Sequence, residues 1–232
     1  MGLFIALPQK PTRHWTWATP LLLLIIIGLH AVQWWLGPHA QRQWQLQWGM
    51  LSGHLQTLHD WQQALQGGRL LRLYTATFLH INWSHAIGNL VFLLIFGPAA
   101  ERVLGSLRFL LLFVIAGAIS NLATVAAYPG DAHYVIGASG AISAVMGAYI
   151  SLLPRAQLGI FLPLGFFVQV IKVPALALVS LWFAMQVIFV VVGALNGSVT
   201  WIGHIVGFVF GILFAMASRH TITKALRKQQ GY

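Results

Sequence analysis

The sequence contains no cysteine and only three acidic residues, Asp60, Glu101 and Asp131. The lack of cysteine excludes disulfide bonds, thiolate catalysis and cysteine-based zinc sites. Charged residues make up 7% of the 232 residues and hydrophobic residues 58%, whereas a soluble domain has about 25% charged residues. Because so few charges cannot cover a protein surface in water, the composition indicates a protein that lies in a lipid bilayer.

Long apolar runs account for most of the chain. A membrane-spanning helix needs roughly 20 mostly apolar residues. Six segments meet or approach this length: 18–36, 85–100, 106–127, 135–153, 173–194 and 200–218. They predict an all-α fold in which a six-helix membrane domain (18–218) follows a short cytoplasmic segment (1–17). The domain precedes a basic cytoplasmic tail (219–232), which we expect to be frayed.

A seventh apolar segment, 156–171, is short and contains Gly159, Pro163 and Gly165. This composition favours a hairpin at the cytoplasmic surface over a further span. The alternative is a seventh membrane span, which would place the C-terminus on the opposite side of the membrane.

A net charge of +10 is typical of nucleic-acid-binding proteins and also of membrane proteins with basic loops. Here the basic residues are scattered singly between apolar runs, so we expect the lipid bilayer as a partner and no nucleic acid. With six spans, Arg42, Arg69 and Arg72 lie on one face, and the other ten of the 13 basic residues share a face with both termini. The positive-inside rule then places both termini in the cytoplasm.

The outer loop at 37–84 is too long for a plain connection and contains several tryptophans. Its apolar residues recur at helical spacing, at Trp44, Trp48, Leu51, Leu55 and Leu58. This pattern predicts a helix in the membrane interface with its aromatic side towards the lipid. A short alternating strand at 41–47 is the alternative.

Strongly polar residues inside membrane spans are costly and often mark function. Five residues meet this criterion: His85, Asn89, Ser139, Ser143 and His204. His30 and Gln33 lie within two turns of the outer end of the first span, and we expect both to reach water.

The fourth span begins with Gly-Ala-Ser-Gly at 137–140. A serine at the start of a helix lies beside free backbone amides, which stabilise the oxyanion that develops during acyl transfer. The alternative is a small-residue packing motif with a serine cap.

In the second span, His85 and Asn89 project from the same helix face and both donate hydrogen bonds. Their alternative role is to join two helices.

His204 lies among Gly203, Gly207 and Gly211, whose spacing predicts a groove for close helix packing. If the fourth span fills this groove, the His204 imidazole reaches Ser139 and can take its proton. The alternative is a buried histidine bonded to a backbone carbonyl. Together these residues indicate a Ser–His dyad, with Asp131 a disfavoured third member.

His80 and His85 are poorly spaced for zinc and there is no His-Glu-x-x-His motif, so we expect no metal and no cofactor.

Four motifs, in this order along the chain, resemble those of the rhomboid intramembrane serine proteases, over roughly residues 70–218. They are His-x-x-x-Asn at 85–89, Glu-x-x-x-Gly at 101–105, Gly-x-Ser-Gly at 137–140 and the histidine motif at 203–207. The resemblance implies a six-helix bundle in which Ser139 is the nucleophile and His204 the general base. It also implies an oxyanion hole formed by His85, Asn89 and the Ser139 amide. The implied substrates are single-span membrane proteins, cleaved near the outer face where their helices unwind.

Two positions depart from the family pattern. An aromatic residue often follows the nucleophile by four positions and stacks on the histidine, but here that position is Ser143. His204 must therefore be oriented by hydrogen bonding or by another ring. Many relatives have Trp-Arg in the outer loop where Leu71-Arg72 stands, so only the structural role of Arg72 carries over.

The alternative function is an inactive rhomboid-like protein that binds membrane clients. A channel or transporter is disfavoured, because acidic residues within spans and matched broken helices are lacking. The resemblance places the protein in a bacterial inner membrane as a multi-pass protein.

Overall fold

A computed structural model describes residues 16–51, 57–127, 134–164, 167–193 and 201–229. The expectations for Asp131 and for residues 1–15 concern positions outside these ranges.

Most of the described chain is helical. In chain order the helices are α1 (Ala18–Trp35), α2 (Pro38–Trp48), α3 (Leu58–Gln66), α4 (Arg72–Thr75), α5 (Trp83–Leu104), α6 (Ser106–Ala127), α7 (Ser139–Leu152), α8 (Ala175–Gly193) and α9 (Trp201–Gln229). Single 3₁₀ turns at Arg69–Leu71 and Ala76–Phe78 flank α4. Five of the described helices, namely α1, α5, α6, α8 and α9, are long and apolar enough to cross a membrane. The predicted polytopic helical class is therefore confirmed, whereas the sixth apolar helix, α7, has only 14 residues.

Helix α7 lies at the centre of the bundle and packs against α5, α6 and α9. Eleven of its 14 residues are buried, as expected for a helix that is apolar on all sides. A β-carbon added to Gly207 or Gly211 of α9 would overlap the backbone of α7, at the carbonyl groups of Gly140 and Ala144 respectively. Gly207 and Gly211 thus form the predicted groove against α7, whereas Gly203 lies against Ser120 and Thr124 of α6.

The structure of the outer loop differs from the sequence prediction in two respects. Strand β1 (Met50–Leu51) pairs antiparallel with β2 (Tyr134–Val135), which lies just before α7. The predicted interfacial helix through residue 58 is also wrong in its course, because α2 ends at Trp48 and Gly49 continues in an extended conformation. Met50 is then buried, opposite Val135 of β2. The alternative strand at 41–47 is wrong as well, since α2 covers it.

The second pair of strands lies between α7 and α8. Strands β3 (Gln157–Leu164) and β4 (Phe167–Pro174) pair antiparallel, from Gln157 opposite Pro174 to Leu164 opposite Phe167. The predicted hairpin is confirmed. A two-stranded hairpin leaves backbone groups unpaired along both edges, which lipid does not tolerate in a membrane span. This geometry argues against a seventh span.

The C-terminal tail was predicted to be frayed, but α9 continues as a helix to Gln229. At the point where the tail begins, the Arg219 guanidinium donates a hydrogen bond of 3.1 Å to the backbone carbonyl of Ser151 in α7. This contact joins the C-terminal end of α7 to α9, on the side away from Ser139.

Candidate active site

Ser139 is the first residue of α7, as the sequence predicts. It follows Gly137, whose φ of 123° lies in a region that L side chains rarely adopt, and Ala138, which is already helical in conformation. The Gly137 amide donates to the Ala76 carbonyl at 2.9 Å. These constraints place the Ser139 side chain at a helix start, beside backbone amides that have no partner within the helix.

His204 of α9 contacts Ser139 directly. The imidazole Nε2 lies 2.7 Å from Ser139 Oγ, although the two residues are 65 positions apart in the chain. The glycine groove makes this distance possible, because α9 packs against α7 without intervening side chains. The predicted meeting of the two side chains is therefore present.

The other nitrogen of His204 has a partner that the sequence analysis did not select. Nδ1 lies 2.8 Å from Oε1 of Gln186, on α8. Gln186 is only 5% exposed. A glutamine within an apolar run meets the same criterion that selected His85 and Asn89, so the signal was available in the sequence.

Aromatic rings also surround His204, but within the described ranges none stacks closely on it. The centroids of Trp182 and Trp201 lie 6.2 Å and 5.8 Å from the imidazole centroid, at 35° and 78° between planes. Ser143, where relatives carry an aromatic residue, instead donates its hydroxyl to the Ser139 carbonyl at 2.7 Å. The orientation of His204 therefore comes from the hydrogen bond with Gln186, which fits the expectation that another interaction replaces stacking.

His85 and Asn89 lie one turn apart at the start of α5. The side chain of Asn82 caps this helix by accepting the His85 amide at 2.9 Å. Asn89 is buried, and its side-chain amide donates to the His85 carbonyl at 3.0 Å. Both residues line the same cavity as Ser139 and His204. The structure thus brings together all four residues that the sequence selected as a site.

The cavity has a volume of about 430 Å³. Ser139, His204 and Asn89 provide polar groups at its wall, and the remaining lining is mostly apolar and aromatic. The apolar lining includes Phe92, Ile142, Met146 and Trp182. A cavity of this size and character accepts an apolar side chain while its neighbouring backbone lies against the polar wall.

His80 lies outside the cavity and contacts the backbone of Ala138, the residue before Ser139. It is fully buried, and its Nε2 accepts a long hydrogen bond of 3.5 Å from the Ala138 amide. Burial, together with the nearby imidazoles of His85 and His30, lowers the pKa of His80 to about 3. The ring is therefore neutral near pH 7, and its unprotonated nitrogen can accept a hydrogen bond from a backbone amide. From the sequence, His80 was considered only as a metal ligand.

His30 and Gln33 were expected to reach water, and this expectation is wrong. Each is only 1% exposed. The His30 ring packs edge-on against Trp83, with 4.6 Å between centroids, and lies 6.2 Å from the His80 ring. The loop between α4 and α5 covers this end of α1, so its polar residues are enclosed by protein.

Two further predicted residues have structural contacts. The carboxylate of Glu101 accepts hydrogen bonds of 2.8 Å from the amides of Ala18 and Thr19, which open α1. Arg72 donates to the Leu46 carbonyl at 3.3 Å and so ties α4 to α2. Both residues hold the scaffold and do not line the cavity.

Comparison with known proteins shows which protein family this chain resembles. The model of the rhomboid domain matches residues 67–220, a range that includes all four predicted site residues. The chain is 32% identical over 132 residues to YdcA of Bacillus subtilis, a protein named as a rhomboid protease, covering 56% of this chain and 61% of that one. It is 30% identical over 160 residues to the rhomboid protease GlpG of Haemophilus influenzae, covering 68% of this chain and 76% of GlpG. RHOMBOID-like protein 6, mitochondrial, of Arabidopsis thaliana is 34% identical over 92 residues, which are 40% of this chain and 29% of that protein.

Proposed function

The chain belongs to the rhomboid family, and we propose that it is an intramembrane serine endopeptidase that cleaves single-span membrane proteins with Ser139 and His204. The observation that carries this proposal is the 2.7 Å contact between His204 Nε2 and Ser139 Oγ. A serine hydroxyl is a weak nucleophile until a base takes its proton, and this contact supplies the base.

The reaction proceeds in two acyl-transfer steps. His204 Nε2 takes the proton from Ser139 Oγ, which attacks the peptide carbonyl carbon and forms a tetrahedral oxyanion. As this intermediate collapses, the C–N bond breaks and His204 gives its proton to the leaving amine. Water then attacks the acyl-enzyme, with His204 again acting first as base and then as acid, and Ser139 is released.

The oxyanion lies at the start of α7 in this proposal. The Ser139 amide is one donor, because the first amides of a helix have no partner within it. Asn89 and His85, which line the same cavity, supply the others. The Asn89 amide has two N–H groups, and only one is used to hold the side chain against the His85 carbonyl. The second remains for the oxyanion.

The short length of α7 explains how water reaches a site within the membrane. Its 14 residues extend about 21 Å at 1.5 Å per residue, less than the roughly 30 Å of a hydrocarbon core. With its C-terminal end near one membrane face, its first residue lies below the other face, at the base of the cavity. We propose that α7 is the sixth span, enclosed by the five longer helices.

The cavity also sets the form of the substrate. A peptide group inside a helix has its carbonyl hydrogen-bonded and its backbone covered by side chains. The substrate segment must therefore unwind before Ser139 reaches it, which favours sites near small or helix-breaking residues at the end of a span. The apolar cavity lining, including Phe92 and Met146, receives the side chain next to the cleaved bond.

We place both termini in the cytoplasm of a bacterial inner membrane, with cleavage near the outer face. The distribution of basic residues supports this orientation, since ten of the 13 then lie on the cytoplasmic side. The bacterial relatives YdcA and GlpG support the location.

The test is covalent labelling of the purified protein with a fluorophosphonate probe, together with cleavage of a model single-span substrate in liposomes. Wild-type protein should label and cleave, Ser139→Ala should do neither, and His204→Ala should label far more slowly. Ser143→Ala is the matched control, since it removes a hydroxyl one turn away on the same helix and should still be labelled. Labelling of Ser139→Ala at the wild-type rate would refute the assignment. A folded wild type that neither labels nor cleaves would favour the client-binding alternative.

A further inference from the structure

We propose that Gln186 is a positioning residue for His204: its amide oxygen accepts the Nδ1 proton and so presents Nε2 to Ser139 as the base. This inference rests on the proposed function and adds a third residue to the pair. It is carried by the 2.8 Å contact between Gln186 Oε1 and His204 Nδ1 and by the burial of Gln186.

The contact determines which nitrogen of the ring carries the proton. A neutral imidazole has one N–H, and the nitrogen without it is the only acceptor. When Nδ1 donates to the Gln186 oxygen, Nε2 carries the lone pair and faces Ser139 Oγ at 2.7 Å. Without an acceptor at Nδ1, the proton is free to occupy Nε2, and that tautomer cannot act as a base towards Ser139.

The same contact stabilises the charged ring. After His204 takes the serine proton, both of its nitrogens are donors and the ring carries a positive charge in a half-buried position. The amide oxygen faces Nδ1 in advance, so no reorganisation is needed when charge develops. A carboxylate there could also accept the Nδ1 proton, but burying its charge would cost stability in the resting protein. An amide performs the orienting role without that cost.

The other neighbours of His204 do not fix its rotation. Trp182 and Trp201 lie about 6 Å away by centroid and neither ring stacks in parallel contact. Ser143 is too small to cover the ring, and its hydroxyl is already bonded to the Ser139 carbonyl. Besides the contact with Ser139, the hydrogen bond that His204 donates to Gln186 is the directional contact among the described residues that sets the plane of the imidazole.

Gln186 is the polar residue that is buried among the described residues of α8, whereas Ser180 of the same helix is exposed. Most of the described residues of α8 are exposed on the bundle surface, and the buried ones are Ala175, Val179 and Gln186. A buried glutamine in a largely apolar, outward-facing helix is costly unless its amide has a partner. The partner is His204, which accounts for a polar residue at this position.

The contact between Gln186 and His204 can be tested by varying the pH, because few titratable groups surround His204 among the described residues. Among the residues that the structure describes around the cavity, α6, α7 and α8 present uncharged side chains to His204, and the other titratable residues in the lining are His85 and Tyr134. A charge introduced at position 186 should therefore act on His204 with little competition.

The experiment compares Gln186→Met, Gln186→Glu and the control Met185→Leu in the full-length protein. Met has nearly the volume of Gln but offers no comparable acceptor, whereas Glu keeps an oxygen at the same place. Met185 is the preceding residue and faces outward. The measurements are the rate of fluorophosphonate labelling as a function of pH, kcat and KM for one model substrate, and the thermal midpoint to verify folding.

We expect Gln186→Met to lower the labelling rate and kcat by at least about tenfold, as for other lost orienting contacts, with KM nearly unchanged. Gln186→Glu should recover the rate. It should also move the acid limb of the pH–rate profile to higher pH, because a carboxylate beside Nδ1 stabilises the protonated ring. Met185→Leu should behave as wild type.

Each result has a definite meaning. A folded Gln186→Met that labels at the wild-type rate overturns the inference while leaving the proposed function intact. Equal losses in the Met and Glu variants, with no change in the pH profile, assign Gln186 to packing alone and overturn the inference as well. An unreactive wild-type protein would instead count against the proposed function.

Discussion

The His85 imidazole lies against the backbone of Gly137. A β-carbon on Gly137 would stand 2.6 Å from Cε1 and 2.9 Å from Nε2 of that ring, closer than nonbonded carbon atoms approach. Gly137 also has a φ of 123°, which an L side chain rarely adopts. The absence of a side chain at Gly137 therefore leaves room for the His85 ring. It also permits the backbone conformation with which the chain enters α7, two residues before Ser139.

We predict that Gly137→Ala lowers both fluorophosphonate labelling and substrate cleavage by at least about tenfold. The added methyl group has to displace the His85 ring or shift the segment that positions Ser139, and a misplacement of about 1 Å is worth about 10²-fold in rate. The measurement is the labelling rate of purified protein. Gly28→Ala in α1 is the control, because its β-carbon meets nothing within 4 Å. Unchanged labelling in Gly137→Ala would show that neither position depends on this contact.

Asn89→Ala should reduce kcat by about 10²-fold, with labelling of Ser139 retained to a measurable extent. The expected size follows from the loss of one oxyanion donor in other serine proteases. Steady-state cleavage of a model substrate measures it. Leu94→Ala, an outward-facing change on the same helix, should leave kcat as in the wild type. A wild-type kcat in Asn89→Ala would remove Asn89 from the proposed oxyanion hole.

Glu101→Ala should destabilise the protein without acting on the chemistry directly. Its buried carboxylate accepts hydrogen bonds from the amides of Ala18 and Thr19 and from the Ser106 hydroxyl, and removing it deprives the two amides of this acceptor. The cost is about 2 kcal/mol or more, which corresponds to a fall of roughly 4–8 °C in the thermal midpoint. Thermal unfolding in detergent tests this, with the neighbouring exposed Arg102→Ala as control. A midpoint within a degree of wild type would show that α1 does not depend on this contact.

The burial of His80 predicts a loss of stability in acid. Its pKa of about 3 in the folded protein is below the ordinary value of 6.5, so between these values the unfolded chain binds a proton that the folded protein excludes. Stability therefore rises with pH across this window and is lost as pH falls from about 6.5 towards 3. The thermal midpoint should drop between pH 7 and pH 4.5.

His80→Gln should flatten that pH dependence, because a glutamine oxygen can accept the Ala138 amide and does not titrate. His39→Gln, at an exposed position on α2, is the control and should keep the wild-type slope. If His80→Gln retains the full slope, other groups are responsible for the acid sensitivity.

Some expectations from sequence depended only on local pattern, and these agree best with the structure. The apolar runs predicted the positions of the long helices, because the length of an apolar run and the spacing of polar residues are properties of the chain itself. Ser139 at a helix start and the glycine groove around His204 likewise follow from short motifs. The hairpin after α7 follows from Pro163 and two glycines in a short apolar segment.

The expectations that are wrong concern segments whose conformation depends on distant partners. Helical spacing continued past Trp48, but Met50 pairs with Val135 and is buried there, so tertiary pairing overrode the local pattern. His30 was placed near water because it lies towards a helix end, yet Trp83 covers it. No periodicity in either segment shows which other part of the chain will lie against it.

By itself the sequence determined that this chain is a multi-pass membrane protein of the rhomboid family and which side chains are candidates for its chemistry, because hydropathy and short motifs are carried by neighbouring residues. Only the tertiary structure decided how His204 is held. Its contact with Gln186 joins two helices across 18 residues of chain, and it exists because α8 packs beside α9 with one amide directed inward. Such a contact depends on the relative placement of two helices, and the order of residues in either helix alone does not specify that placement.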